Sequence, residues 1–139
     1  MAAEIYAIGQ RNRARHKSQQ RRVPTVLVVD DESSVLHMVR DVLEDDDLRV
    51  LTARCAHEAL AVAARDEPDL IITDLMMPEI SGRVLRQRLQ AQPRTARIPV
   101  LLMTAAYQIQ TPDEFADIIA KPFEIDDLLR QVRRHISAR

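Results

Sequence analysis

The strongest constraint on the fold lies in short runs that are apolar without alternation. Residues 26–29 (VLVV), Leu70–Thr73 (LIIT) and residues 99–103 (PVLLM) carry leucine or β-branched side chains at successive positions. A strand with one wet face alternates apolar and polar residues, whereas a strand covered on both faces does not. Between these runs the apolar spacing changes to that of helices. Val35, Leu36, Val39, Val42 and Leu43 recur at three and four residues, with Ser33 or Ser34 placed to cap that helix and Asp45, Asp46 and Asp47 to end it. Residues 50–51 make a short second strand, residues 56–65 an alanine-rich helix and residues 83–91 a further helix stopped before Pro93. Asp117–Ala120 (DIIA) makes a fifth strand, and residues 125–136 an amphipathic helix through Leu128, Leu129, Val132 and Ile136. Strands alternating with helices imply a doubly wound, five-stranded parallel sheet covered on both faces. With 139 residues the chain suits one such domain.

In such sheets the working site lies at the carboxyl ends of the strands, where the strand order reverses. Asp30 and Asp31 follow the first strand, Asp74 the third, Thr104 the fourth and Lys121-Pro122 the fifth. Three carboxylates on one rim repel each other unless a cation neutralises them. Mg²⁺ suits the set, because it takes oxygen ligands from one or two carboxylates and fills its octahedron with water and phosphate oxygens. A lysine supplies a movable positive charge for a phosphoryl oxygen, and a threonine hydroxyl can donate to another. A carboxylate can be the nucleophile of phosphoryl transfer, which needs positioning and charge neutralisation more than covalent chemistry from the protein.

The motifs VLVVDDE, ITDLMMPEISG, PVLLMTA and AKPF, in this order, resemble the receiver domain of two-component response regulators, from about Thr25 to Ile136. The resemblance implies a flavodoxin-like (βα)5 fold of the stand-alone chemotaxis type. It implies that Asp74 is the phosphoacceptor, that Asp31 ligates Mg²⁺ directly and that Asp30 holds the metal through water. It further implies that the backbone carbonyl of Met76 is the third protein ligand, that Thr104 moves toward the phosphoryl group and that Lys121 contacts it across a cis Lys121-Pro122 bond. Gly82 matches a loop glycine for which a positive φ is expected. The implied partner is a sensor histidine kinase or a histidine phosphotransfer protein, and a homodimer is compatible with the family. The chain is then a signalling module rather than a classical enzyme. Met76 and Ala106 flank the site at positions that tune hydrolysis in the family; an apolar pair there implies slow loss of the phosphoryl group.

Three features depart from the family pattern. Only 17 residues separate Thr104 from Lys121, fewer than is usual, so the helix between the fourth and fifth strands is expected as a stub begun by Thr111, Pro112 and Glu114. Ile118 stands three residues before Lys121, where the family has Tyr or Phe; Tyr107 and Phe115 are the nearby aromatics. The chain ends three residues after Ile136, so output is expected through protein contact, unless the sequence is the receiver part of a larger regulator.

Charge divides the chain. Residues 1–23 hold six cations against Glu4, a balance of +5, and the other 116 residues carry −6. Residues 1–23 read as a basic, flexible arm and residues 24–139 as the receiver. Nucleic acid is an expected partner only through that arm. The single cysteine, Cys55, reads as a small apolar residue in a reducing cytoplasm. No run has the roughly 18 apolar residues of a membrane span. His16, His37, His57 and His135 show no metal-ligand spacing and read as surface residues.

Two rival readings are weaker. A flavin carrier needs Gly, Ser and Thr donors after the first strand, where this chain has DDESS; a haloacid-dehalogenase-type phosphatase would show Asp-x-Asp, where it has Asp30-Asp31-Glu32. A receiver-like scaffold that works without phosphorylation is the remaining alternative.

Overall fold

A computed structural model describes residues 22–105 and 115–137 of the chain. Strands β1 (Thr25–Val29), β2 (Arg49–Ala53), β3 (Leu70–Thr73), β4 (Val100–Thr104) and β5 (Asp117–Ala120) form one parallel sheet of order β2-β1-β3-β4-β5. Helices α1 (Ser33–Asp45), α2 (Ala56–Asp66), α3 (Gly82–Gln90) and α4 (Ile125–Ser137) complete the described fold.

The unalternating runs are explained by two cores, one on each face of the sheet. Successive side chains of a strand point to opposite faces. Val26 and Val28 of β1 therefore join Leu70 and Ile72 of β3 and Leu101 and Met103 of β4 against Leu36, Val39 and Leu43 of α1 and Leu128 and Val132 of α4. Leu27, Val29, Ile71 and Leu102 face the other way, onto Ala59 and Ala63 of α2 and Leu85 and Leu89 of α3. The alanines of α2 let that helix lie close to the sheet. Fully burying a leucine or valine contributes about 1.5–3 kcal/mol, so the three central strands anchor both layers.

Several local expectations are corrected. Neither Ser33 nor Ser34 caps α1: the cap position is Glu32, whose carbonyl accepts from Val35 and Leu36, and no side-chain cap is formed. The turn is instead held from outside the helix, because the Asp30 carboxylate accepts the Glu32 N–H at 2.9 Å. Gly82 has no positive φ. It opens α3, which Ser81 caps by accepting the Val84 N–H at 3.3 Å. His135 is not a plain surface residue: it is half-buried, with Nε2 3.2 Å from Asp117 on β5. His37 and His57 are exposed, as expected. The acidic stop of α1 holds: Asp45 ends the helix, Asp46 follows it and Asp47 takes a left-handed φ of 66°. The basic arm apart from Arg22 and Val23, His16, and the stub with Tyr107, Thr111, Pro112 and Glu114 lie outside the described residues.

Candidate functional site

The parallel register brings the carboxyl ends of β1, β3, β4 and β5 to one rim. Asp30 is fully buried there. Its N–H donates to the Ala53 carbonyl at 3.1 Å, and its two carboxylate oxygens accept from the Glu32 N–H at 2.9 Å and from Lys121 Nζ at 2.8 Å. Asp74 follows β3 with its N–H on the Val29 carbonyl at 3.0 Å, so the chains leaving β1 and β3 stay paired. Its side chain is 10% exposed, and one oxygen lies 3.5 Å from Lys121 Nζ. Oxygens of Asp30, Asp31 and Asp74 all lie within 4.8 Å of one another.

Lys121 ties the rim together. Its N–H donates to the Thr104 carbonyl at 2.9 Å, which joins the ends of β4 and β5. Its ammonium touches Asp30, Asp74 and, at 3.6 Å, Glu32. The peptide bond to Pro122 is cis. Burial disfavours the charged lysine, but the Asp30 hydrogen bond and the charges of Asp30, Asp74 and Glu32 outweigh it, and the pKa is raised. Asp74 is also raised. Burial is the main cause and the Asp30 charge adds to it, while Lys121 and the Met76 and Leu75 N–H groups pull the other way. Thr104 is buried at the end of β4. Met76 lies two residues beyond Asp74 with a side chain 69% exposed. Ala106 lies outside the described residues.

The arrangement brings Asp30, Asp31, Asp74, Thr104 and Lys121 to the rim on which their strand ends placed them. Three features of it were not foreseen. Glu32 adds a third carboxylate facing Lys121, beside Asp30 and Asp74. Arg54, after β2, donates to the Asp31 carbonyl at 3.2 Å. A Cβ at Gly82 would lie 2.3 Å from the Asp74 carbonyl oxygen, so the glycine is required by close approach rather than by φ. Chemically, the three aspartates carry more negative charge than one lysine offsets. Clustered hard oxygen donors with uncompensated charge fit a divalent cation such as Mg²⁺. Asp31 is also only half-buried, which leaves the cluster reachable from solvent.

The family model described as the response regulator receiver domain matches residues 26–133. The chain is 38% identical over 116 residues to the DNA-binding dual master transcriptional regulator RpaA of Synechocystis, covering 80% of this chain and 48% of that protein. It is 34% identical to the probable transcriptional regulatory protein TcrX of Mycobacterium tuberculosis, covering 78% and 48%. It thus spans about half the length of these relatives. Its structure resembles the chemotaxis response regulator CheY4 of Vibrio cholerae with a TM-score of 0.76 and 30% identity, over 82% of this chain and 99% of that one. Among the described residues no helix is long and apolar enough to cross a membrane. Matched from β1 to the last turns of α4, and with an acidic rim at the sheet's carboxyl edge, the chain belongs to the response regulator receivers, the phosphoryl-accepting domains of two-component signalling.

Proposed function

We propose that Asp74 accepts the phosphoryl group from a phosphohistidine of a sensor kinase or phosphotransfer protein, in a Mg²⁺-dependent reaction. The observation that carries this reading is the Asp74 carboxylate, nearly buried, 3.5 Å from Lys121 and clustered with Asp30 and Asp31. An Asp74 oxygen attacks phosphorus as the bond to the imidazole nitrogen breaks, and that nitrogen keeps the electron pair and takes a proton. Lys121 offsets the charge of the phosphoryl oxygens, and the Thr104 hydroxyl donates to one of them. Asp31 would hold the cation directly and Asp30 through water, with Asp74 and the Met76 carbonyl as the other protein ligands. When bound, the cation would supply positive charge to the carboxylates and the phosphoryl oxygens together. Phosphorylation then changes the loops around the site and is read by protein contact, in the cytoplasm, by residues 24–139, while residues 1–23 act as a basic arm.

Incubation with acetyl phosphate tests this directly. Intact mass is expected to show one added phosphoryl group with Mg²⁺ and none after chelation. A folded protein that gains no group under either condition would instead be the phosphorylation-independent scaffold. After removal of the donor, the adduct is expected to decay slowly, because Met76 offers an attacking water only a weakly accepting thioether. Loss of the adduct as fast as the donor can be removed would overturn that expectation.

A further inference from the structure

We propose that this receiver holds a second ligand site, for a small organic carboxylate, at the opposite end of the sheet from Asp74. A cavity of about 260 Å³ opens between α3 and the beginnings of β4 and β5. Arg86, Gln90 and Arg97 line it, with Phe115, Ile98 and Val100 as its apolar wall. None of these residues belongs to the rim that carries Asp74.

Charge points to the ligand's class. Three arginines near this end of the molecule are paired: Arg94 with Glu67, Arg65 with Asp66 and Arg22 with Asp69. Among the described residues neither Arg86 nor Arg97 makes an ion pair. Arg86 is half-buried and lies over the ring of Phe115, 5.7 Å from its centroid. That stacking holds the planar guanidinium in place and leaves its N–H fork for an acceptor. A guanidinium binds carboxylate with two parallel hydrogen bonds, and the Gln90 amide can add a third.

Size and wall chemistry narrow the class further. At about 30 Å³ per water, the cavity equals roughly nine waters. That is the scale of a small molecule and falls below the usual range of drug-sized sites, roughly 300–1,000 Å³. Phe115 and Ile98, both nearly buried, add a narrow apolar strip to a lining that is otherwise polar. A carboxylate on a compact apolar body satisfies both halves. Phe115 and Ala116 lead directly into β5, and the Ala116 N–H bonds the Val100 carbonyl at 2.8 Å, so the ligand would rest on the strand whose other end carries Lys121.

The experiment is a ¹H–¹⁵N NMR titration of the full chain with benzoate, benzamide and inorganic phosphate. Benzoate is expected to shift the amides of residues 86–98 and 115–116 saturably, at least tenfold more tightly than the other two. Arg97→Gln, at an exposed position that leaves the Phe115 stack intact, is expected to weaken benzoate at least fivefold, and Arg86→Leu more. An unsaturable response to benzoate overturns the proposal. So does equal binding of benzamide, or an affinity unchanged in a folded Arg97→Gln protein. Phosphate binding as tightly as benzoate would mean a general anion patch and would overturn the carboxylate assignment.

Discussion

Asp74→Asn is expected to make the metal-free protein more stable and, at the same time, to abolish its phosphorylation by acetyl phosphate. The first effect follows from the raised pKa of Asp74, caused mainly by burial and then by the Asp30 charge, with only partial relief from Lys121. The sign is fixed by linkage. A carboxyl whose folded pKa lies above its unfolded value binds protons more readily in the folded state, so stability falls as pH rises through the interval between the two values. Above that interval the ionised Asp74 opposes folding, and asparagine removes the charge while keeping the shape. A change of about 1 kcal/mol moves the melting temperature of a domain this size by roughly 2–8 °C, so a rise of a few degrees at neutral pH is the expected scale. The wild-type protein should lose its deficit in Mg²⁺, since a cation that binds only the folded state stabilises it by mass action. The variant, short of one carboxylate, should respond less. Melting curves of both proteins with and without Mg²⁺ measure all four values. An equal or lower melting temperature for metal-free Asp74→Asn would mean that the clustered aspartates are already neutralised by the protein and that no cation is needed.

The acidic rim was legible because strand ends are legible. An unalternating run such as LIIT gives both a buried strand and its direction, and in a parallel sheet every such strand points the same way. The residue after each run is thereby placed on a common edge without knowledge of any contact. This is why Asp30, Asp74, Thr104 and Lys121 came together as expected. What depends on which side chain wins a local competition was not legible. Ser33 and Ser34 have the chemistry of a helix cap, but the helix begins at Ser33 with Glu32 in the cap position, and the Asp30 carboxylate holds the preceding turn through the Glu32 N–H. The His135 contact with Asp117 joins α4 to β5 across 18 residues, and no local spacing announces it. Ser81 did carry a signal, since a serine three residues before Val84 and directly before Gly82-Arg83 is a regular cap position. Met77 and Ile118 are both partly buried against the α2–α3 core.

Gly82→Ala carries the second large effect, and here backbone torsion and packing make opposite predictions. The glycine has no positive φ, so by torsion alone alanine is acceptable and would favour the first turn of α3. Packing decides otherwise. The added Cβ would meet the Asp74 carbonyl oxygen at 2.3 Å and Leu75 Cα at 3.1 Å, both main-chain atoms that cannot rotate away. The Gly82 N–H also donates to the Leu75 carbonyl at 2.9 Å, so α3 cannot back off without breaking that bond. Overpacking of this kind costs about 1–3 kcal/mol, more than the helix propensity returns. The strain falls on the peptide that carries the phosphoacceptor. A displacement of about 1 Å there can cost on the order of a hundredfold in rate, so phosphorylation should slow by more than the loss of stability explains. Ser81→Ala is the control, because it removes the α3 cap at a cost of about 1 kcal/mol without crowding Asp74. Denaturant unfolding and the acetyl phosphate rate are measured on both. The expected pattern is a modest loss of stability with a near-normal rate for Ser81→Ala, and a larger loss with a rate at least tenfold lower for Gly82→Ala. Equal rates in the two variants would show that the end of β3 can move away from α3 at no cost to the chemistry, and that Gly82 serves the helix rather than the site.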